Sequence, residues 1–509
     1  MVVSWKQDTK SGSRQGIGKP ASSEATRDGQ VAVLVKHTTE GQSPSWLRRW
    51  GTRAQGTHCR EGETGHHVLL DRPTGDTLRS PTVSTTLQQI ADQAVQYPDR
   101  VFTTLAHHID VDFLREAFHR TSKRSAPGID GVTAKKYAED LEGNLANLHE
   151  RLCSGRYQAP PVVRAWLDKE DGGQRPIGMP ALEDKIVQRA VTMLLEAIYE
   201  QDFYPFSYGF RKGRSPHHAL FELRERCMRM GGAWILDADI SGYFDSIDRN
   251  KLREIIKERV NDGSILRLIG KWLNAGVLEG ETLTYPDQGT PQGGVVSPIL
   301  ANVFLHRVLD EWFVREIQPR LKGQSFLIRY ADDFVICCEL ESDARRILAV
   351  LHKRFTRFGL TIHPTKTRLV PFRRPDYKEK SGKGGGTFDI LGLTHFWSRS
   401  RKGNWVIKRK TAKKRLRRTM KALWQWCRTN RHMPLKDQYR MVCQKLRGHY
   451  QYYGIRDNFW MLEKVYRHTV KTWRYWLDRR SSKKAMPWDK FQRILNDFPL
   501  PKPRIVQPI

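Results

Sequence analysis

The stretch Phe326-Leu-Ile-Arg-Tyr-Ala-Asp-Asp-Phe-Val-Ile-Cys-Cys338 decides the fold of this chain. Two runs rich in β-branched and aromatic residues flank its Ala-Asp-Asp centre, a pattern that predicts two strands joined by a tight hairpin. The hairpin carries two adjacent carboxylates, Asp332 and Asp333, at its tip. Adjacent carboxylates repel each other, and burying them is costly unless cations compensate their charge.

A second acidic strand lies about 90 residues earlier, at Trp234-Ile-Leu-Asp-Ala-Asp-Ile240. Apolar and acidic residues alternate along it, as in a half-buried strand, so Asp237 and Asp239 share one face. An Asp-Asp pair alone is most often an ordinary turn, whereas two separate acidic strands are a far more specific signal. Hard oxygen ligands select Mg²⁺, and two such ions stabilise the attacking and leaving oxygens of a phosphoryl displacement.

Length and composition indicate a large globular protein. The chain has 509 residues, of which 39% are hydrophobic, enough for a sizeable core spread over about three domains. No apolar run approaches the roughly 18 residues of a membrane span, and the first residues lack the apolar core of a signal peptide. Seven scattered cysteines without a CxxC pair argue against a zinc ribbon and a disulfide framework. We therefore expect a protein of the reducing cytoplasm, with no membrane partner.

The net charge of +32 is concentrated near the carboxyl end. Residues 401–509 contain 30 lysines and arginines against six acidic residues, which accounts for 24 of the 32 net charges. The same residues include seven of the 15 tryptophans. A solvated charged face explains a basic run, but not so large an excess beside so many aromatic residues. A cationic surface with stacking platforms suits nucleic acid, and acidic lipid is the weaker alternative.

Four parts follow one another along the chain. Residues 1–85 show no sustained periodicity and are predicted to form a poorly ordered extension. Residues 86–400 alternate helical and strand-like patterns, which predicts an α/β or α+β domain. Residues 401–480 show apolar stripes at helical spacing with basic residues on the opposite face, and residues 481–509 form a short basic tail.

Collinear blocks across residues 99–480 resemble reverse transcriptases, in particular the bacterial group II intron-encoded class. The two acidic strands look like the catalytic motifs of that family's palm. Seven further blocks are similar to other family motifs: Asp99–Asp110, Ser125–Thr133, Lys169–Arg189, Tyr208–Arg214, Gly289–Pro298, Gly359–Thr367 and Asp389–Thr394. The resemblance implies an α+β fold, in which the fingers and palm of a right-hand polymerase precede an α-helical thumb and maturase domain.

The resemblance also implies a set of catalytic residues. Asp239, Asp332 and Asp333 would be the metal ligands for two Mg²⁺ ions, helped by the carbonyl of Ile240. Asp237, two residues before the first ligand, is expected to be a structural partner.

Five further residues are expected to contact the dNTP substrate. Lys169 and Arg175 would grip its triphosphate, where cations balance its charge. Phe244 would select dNTP over rNTP at the sugar, and Gln292 would contact the nucleotide or the template. Lys366 could protonate the pyrophosphate leaving group. The alternatives are a basic surface for the first two residues and core packing for Phe244.

The basic helical part resembles the thumb and maturase domain of the family, and Leu446-Arg-Gly-His-Tyr-Gln-Tyr-Tyr-Gly454 is the segment most similar to it. In the family this part holds the template–primer and binds the intron RNA. The predicted RNA-binding residues are Lys413, Lys414, Arg417, Arg418, Lys421, Arg447 and His449. A generic thumb without a splicing role is the alternative, since phosphate contacts carry little information about which RNA is bound.

The resemblance implies an RNA-directed DNA polymerase encoded by a group II intron, which promotes splicing of its intron and moves by target-primed reverse transcription. Its partners would be the intron RNA, an RNA template with a DNA primer, and target DNA, and it would associate with the bacterial nucleoid during mobility. Many family members end in an HNH endonuclease with paired cysteines. We expect none here, because the last cysteine is Cys443.

Two other functions remain open from the sequence. One is a domesticated reverse transcriptase that serves host defence or a retron-like element. The other is a splicing factor with an inactive palm, against which the intact carboxylates argue.

Overall fold

The computed structural model describes residues 82–168, 173–279, 282–285, 289, 293–376, 385–480 and 486–507, which belong to one compact unit. The helices are α1 (Val83–Gln96), α2 (Val111–Arg120), α3 (Ala134–Tyr137), α4 (Leu141–Cys153), α5 (Leu182–Asp202), α6 (Pro216–Arg229), α7 (Tyr243–Ser246), α8 (Arg249–Lys257), α9 (Gly263–Leu273), α10 (Ser297–Leu305), α11 (Glu341–Arg357), α12 (Lys413–Thr429), α13 (Leu435–Tyr453), α14 (Phe459–Asp478) and α15 (Trp488–Asp497). The strands are β1 (Val162–Asp168), β2 (Gln174–Met179), β3 (Gly232–Ala238), β4 (Val277–Glu279), β5 (Thr282–Thr284), β6 (Ser325–Tyr330), β7 (Asp333–Cys338), β8 (Arg368–Arg373), β9 (Phe388–Ile390), β10 (Leu393–Arg399) and β11 (Trp405–Thr411).

Both acidic strands lie in a central antiparallel sheet of order β6-β7-β3-β8. Successive side chains of a strand point to opposite faces, and here both faces are covered. Along β7, Phe334 and Ile336 enter one hydrophobic core, whereas Val335 and Cys337 enter a second core on the other side. This double burial explains the nearly continuous apolar runs around the acidic residues.

The larger core lies between the central sheet and a layer of helices. Its centre is α5, in which 14 of the 21 residues are buried, from Leu182 to Tyr199. A helix with apolar residues around most of its circumference must be covered by other elements, and α1, α2 and α10 pack against it. The α+β class expected from the sequence is confirmed at this level.

Two smaller sheets flank the central one. One has the order β2-β1-β4-β5, in which β1 pairs antiparallel with β2 and parallel with β4. The other is an antiparallel meander of order β11-β10-β9, whose Phe388, Trp397 and Trp405 belong to the second core. The meander connects the central sheet to the helices that follow it.

Helices α12 to α15 share a third hydrophobic core. The apolar stripe predicted for α14 is confirmed, because Leu462, Trp473 and Leu477 are buried. None of the helices in the described ranges combines the length and the apolar composition needed to cross a membrane.

Three predicted boundaries need correction. Helix α1 begins at Val83, inside the predicted extension, because Ile90 and Ala94 pack into the core. The helical part does not begin at residue 401, since β11 pairs with β10 along its whole length before α12 starts. The tail from residue 481 contains α15, which the charge pattern hid, and its Phe491 is completely buried.

Candidate active site

The hairpin predicted around Asp332 and Asp333 is present. Strands β6 and β7 pair antiparallel up to Tyr330 and Asp333, which leaves Ala331 and Asp332 as a two-residue turn. Ala331 has a φ of 57°, a left-handed conformation that two-residue hairpin turns require. The turn therefore holds the two carboxylates at the end of a ladder that is buried on both faces.

Asp239 lies beside this turn because of the register between β3 and β7. Ala238 pairs with Phe334, so Asp239 and Asp333 are the next residues along the two antiparallel strands. The segment after Asp239 continues by pairing with residues 361–363, where Ile240 and Ile362 form an isolated bridge. Opposed residues of antiparallel strands lie about 5 Å apart at their Cα atoms, so the carboxylates of the two acidic strands are neighbours.

Two cations from the segment 366–368 compensate the acidic strand. Lys366 Nζ lies 3.0 Å from Asp239 Oδ2, and Arg368 Nε donates a hydrogen bond to Asp237 Oδ2 at 3.0 Å. Burial raises the pKa of Asp237 above the usual value for a carboxyl, although the bond from Arg368 opposes the shift. Asp237 is thus tied to a neighbouring strand, as the sequence predicted for a structural partner.

A cleft of about 480 Å³ opens over these side chains. Asp237, Asp239 and Asp333 line one side, and Lys366 and Arg368 lie beside them. Gly392, Ala412 and the first turn of α12, with Lys414 and Arg415, complete the lining. We call this the acidic cleft; its wall combines carboxylates with cations from the basic helical region, residues 413–500.

The donor set of the acidic cleft fits a hard divalent cation, because its charged donors are carboxylate oxygens. Among the residues that the structure describes, no three His, Cys, Asp or Glu side chains converge as a preformed metal site. The ion pair between Lys366 and Asp239 shows that an ammonium group occupies the Oδ2 side of that carboxylate. The metal-ligand roles of Asp239, the Ile240 carbonyl, Asp332 and Asp333 remain predictions.

Phe244 lies close to the end of the first acidic strand. The chain turns at Gly242, which has a φ of 55°, and enters the short helix α7. Phe244 is half-buried and packs against the larger core, while the hydroxyl of Tyr243 donates a 2.6 Å hydrogen bond to the carbonyl of Ala301. Gly289 approaches from the predicted nucleotide loop, where a Cβ would come within 2.9 Å of the Phe244 carbonyl.

The structure describes only some of the other residues that were predicted to contact the nucleotide. Lys169 and Gln292 lie outside the described residues. The backbone of Arg175 is part of β2 and pairs with Leu167, but its side chain lies outside the described part. Lys366 is brought to the acidic cleft, as its predicted role requires.

The basic residues predicted to bind RNA lie mostly on one exposed surface. Those on α12 are all exposed: Lys413, Lys414, Arg417, Arg418 and Lys421. Arg447 on α13 is exposed as well.

His449 does not belong to this surface, and its predicted role is corrected. It is only 9% exposed and lies on the face of α13 that carries Leu446 and Tyr450 into the core. Burial lowers the pKa of His449 to about 4, so the ring is neutral near pH 7. The sequence pattern contained the signal, because His449 follows Val442 and Leu446 at helical spacing.

Sequence reasoning missed a group of buried polar residues beneath the hairpin. Arg329 and Asp310 are both completely buried and form an ion pair with an Nη2–Oδ2 distance of 2.5 Å. The available signal was an arginine within an otherwise apolar strand, which requires a buried partner.

Comparisons with known proteins place a family match over the part of the chain that contains the two acidic strands. Residues 167–395 match the family model described as reverse transcriptase (RNA-dependent DNA polymerase), a range that contains both acidic strands. The chain is 35% identical over 240 residues to Protein YkfC of Escherichia coli K12, which covers 41% of this chain and 62% of that protein. It is also 35% identical over 245 residues to the group II intron-encoded protein LtrA of Lactococcus lactis subsp. cremoris, which covers 47% of this chain and 40% of LtrA.

A more distant relative is nuclear intron maturase 4 of Arabidopsis thaliana, 29% identical over 177 residues, or 34% of this chain and 22% of that protein. The chain thus spans less than two thirds of the length of these relatives. The part of the chain that contains the central sheet and the carboxylates of the acidic cleft therefore matches a reverse transcriptase domain. Among proteins with such a domain, the chain is similar to a group II intron-encoded protein and to a nuclear intron maturase.

Proposed function

We propose that the protein is an RNA-directed DNA polymerase of a group II intron, which also binds the intron RNA and promotes its splicing. The observation that carries this proposal is the juxtaposition of Asp239 and Asp333 at the ends of adjacent buried strands, within a cleft bordered by α12. The charge excess of residues 401–509 and the intron-encoded relatives support the RNA partner.

In this proposal the central sheet is the palm of a right-hand polymerase. The sheet of β1, β2, β4 and β5 with its helices forms the fingers, and helices α12 to α14 form the thumb and maturase domain. The partners are the intron RNA, an RNA template with a DNA primer, and target DNA reached by target-primed reverse transcription. Residues 1–85 are left without a role.

The proposed reaction is the attack of a primer 3′-hydroxyl on the α-phosphorus of a dNTP, with pyrophosphate as the leaving group. Asp239, Asp332, Asp333 and the Ile240 carbonyl would hold two Mg²⁺, which supply positive charge at the attacking and leaving oxygens. Lys169 and Arg175 would bind the triphosphate, and Gln292 would contact the nucleotide or the template. Lys366 would release Asp239 and donate its ammonium proton to the leaving pyrophosphate.

The acidic cleft explains how Lys366 can serve in this way. Its ammonium group lies 3.0 Å from Asp239 Oδ2, and its side chain is 57% exposed. It is therefore held at the site by charge, yet it has room to move toward an incoming phosphate. Phe244, fixed near the end of β3 by α7, would form the wall against a 2′-hydroxyl.

Primer extension on an RNA template tests the proposal. The full chain should add dNTPs to an annealed DNA primer in the presence of Mg²⁺, and Asp239→Asn should abolish the extension. Asp437→Asn, which removes an exposed carboxylate on α13, is the matched control and should leave the rate unchanged. A chain that binds RNA but never extends a primer would instead support the splicing factor with an inactive palm.

The RNA that accompanies the protein in its native host tests the second half of the proposal. Sequencing should find one dominant structured RNA whose gene encloses this reading frame. A mixture of host RNAs, or one unrelated small RNA, would favour the domesticated polymerase, with the same chemistry at the acidic cleft.

A further inference from the structure

The turn that carries Asp332 is anchored from below by one completely buried guanidinium group. Arg329 is the second-last residue of β6, and 0% of its surface is exposed. Its Nε donates to both carboxylate oxygens of Asp310, at 2.8 and 3.1 Å, and Nη2 donates to Oδ2 at 2.5 Å. Its Nη1 donates to the carbonyl of Ala331, within the turn, at 3.2 Å.

The side chain of Asn302 links Arg329 to the segment at Gly209. Its Oδ1 accepts a 2.9 Å hydrogen bond from Arg329 Nη1, and its Nδ2 donates to the carbonyl of Gly209 at 2.7 Å. Gly209 in turn lies directly against the turn, since a Cβ there would come within 2.2 Å of the Ala331 nitrogen. Hydrogen bonds and close packing thus join α10, the segment at Gly209 and the hairpin around one point.

The position of Asp310 adds a second feature. It ends a π-helical segment, His306–Asp310, that directly follows α10. Such wide turns are rare and are frequently found at functional sites. Although burial alone would raise it, the charge and the hydrogen bonds of Arg329, with His306 Nδ1 nearby at 3.7 Å, hold the pKa of Asp310 below its usual value. The pair therefore stays ionised in the core, where each charge depends on the other.

Burial of an ion pair is a poor source of stability, because desolvation opposes the attraction between the charges. An apolar pair of similar volume would fill the same space. It would not, however, hold the Ala331 carbonyl or the Asn302 side chain. The feature that distinguishes this ion pair from an apolar one is therefore the fixed position of the turn.

We propose that Arg329, Asp310 and Asn302 are positioning residues of the polymerase reaction, which fix the turn so that Asp332 and Asp333 take up their catalytic geometry. The inference rests on the proposed function and extends it to residues that touch neither substrate nor metal. Misplacement of a reacting group by about 1 Å costs on the order of 100-fold in rate, so a loosened turn has a large effect.

The decisive experiment replaces the pair as a whole. The double variant Arg329→Met with Asp310→Leu should fold, with a thermal midpoint close to that of the wild type, because no charge is left buried. Its rate of primer extension should nevertheless fall on the order of 100-fold, mainly through kcat. The matched control is Arg259→Met with Asp202→Leu, since Arg259 also pairs with an aspartate at 2.9 Å and bonds backbone carbonyls, but those carbonyls belong to Tyr97 and Arg100 and not to the turn.

A second readout does not depend on turnover. With Ca²⁺ and a dideoxy-terminated primer, the wild type should form a stable complex with the next dNTP. The Arg329 and Asp310 double variant should bind that dNTP about 10-fold or more weakly, as is usual when groups that orient metal ligands are lost. Binding of primer–template in EDTA should not change. Asn302→Ala, which keeps the ion pair, should show the same defect to a smaller degree.

The outcomes separate this inference from the proposed function. A double variant that extends primers at the wild-type rate would overturn the positioning role, because it would leave the pair a structural part only. Equal losses in the double variant and in the Arg259 control would overturn it as well. A wild-type chain that extends no primer under any condition would instead remove the proposed function.

Discussion

The acidic cleft and the basic helical region are adjacent in space but are built on opposite principles. In the acidic cleft, carboxylates are matched by cations at short distance, as in the pairs Asp239–Lys366 and Asp237–Arg368. In the basic helical region, an apolar core around Trp473 and Phe491 holds the helices, and 23 lysines and arginines face six acidic residues between residues 413 and 500.

The difference indicates a division of labour. Carboxylates at the ends of buried strands are held in position, which chemistry requires, whereas a large exposed excess of one charge attracts a polyanion from any direction. Lys414 and Arg415 line the acidic cleft from α12, so a nucleic acid held by the helices would lie beside the carboxylates.

The largest expected effect comes from Asp332→Ala. Loss of a metal ligand removes several kcal/mol of transition-state stabilisation, so DNA synthesis should fall on the order of 1,000-fold or more. Affinity for RNA, measured by filter binding, should change by less than about twofold, because phosphate contacts belong to the helices. Equal losses of synthesis and of RNA affinity would break the division between the two regions.

Charge removal on α12 should produce the reverse pattern. Arg417→Gln with Lys421→Gln should weaken RNA binding on the order of 10- to 100-fold, and should lower the slope of log affinity against log salt by about 1.5. The wild type itself should show a steep salt dependence. The rate at saturating primer–template should be nearly unchanged.

The matched control for the α12 variant lies on α11, outside the basic helical region. Arg345→Gln with Lys353→Gln removes the same charge from the exposed face of α11. It should leave the salt slope as it is. An equal decrease in slope would show that RNA responds to net charge rather than to the basic helical region.

The third prediction concerns the pH dependence of the helical core. His449 has a pKa of about 4 when folded and about 6.5 when unfolded, so the unfolded chain binds the extra proton between these values. Its contribution to stability is therefore complete above pH 6.5 and is lost as the pH falls, by about 2 kcal/mol at pH 5. His449→Phe should remove this loss, as measured by denaturant unfolding at pH 5 and 8.

The same variant tests the correction made for His449. Its affinity for RNA at pH 7 should stay within about twofold of the wild type, because a buried neutral ring contributes no phosphate contact. A loss as large as that of the α12 variant would return His449 to the RNA-binding surface.

Some features of both regions could be predicted from local sequence patterns. Runs rich in β-branched and aromatic residues predicted the hairpin at Asp332 and Asp333, and apolar stripes at helical spacing predicted helices such as α14; both are local patterns. The resemblance to reverse transcriptases ordered these pieces into one site. Local pattern therefore sufficed for these two elements, while the metal-binding roles of the carboxylates stay predictions.

The partners of these carboxylates could not be read in the same way. The pairing of Asp239 with Lys366, and of Arg329 with Asp310, depends on strand register and on the path of helices distant in sequence. Charge content misled the prediction at the carboxyl end, where basic residues conceal the buried Phe491 of α15. In each case the contact partners of a residue were determined by tertiary packing and not by the local periodicity of the sequence.

The smallest expected effect tests Phe244, which lies in α7 shortly after the first acidic strand. Phe244→Ala should shorten the side chain that follows the turn at Gly242, and should open space beside the end of β3. Discrimination between dNTP and rNTP, taken as the ratio of their kcat/KM values, should fall about tenfold, because a steric wall of this kind distinguishes only small differences in size. The kcat for dNTP should change little.

The variant Tyr243→Phe tests whether Phe244 discriminates by its own bulk or through the packing of α7. It removes the hydroxyl that donates to the Ala301 carbonyl, and so loosens α7 from α10 while leaving the ring of Phe244 in place. If Phe244 acts through its own bulk, Tyr243→Phe lowers the thermal midpoint but keeps the discrimination. If discrimination falls equally in both variants, selectivity depends on the rigidity of α7 and not on the bulk of the Phe244 ring alone.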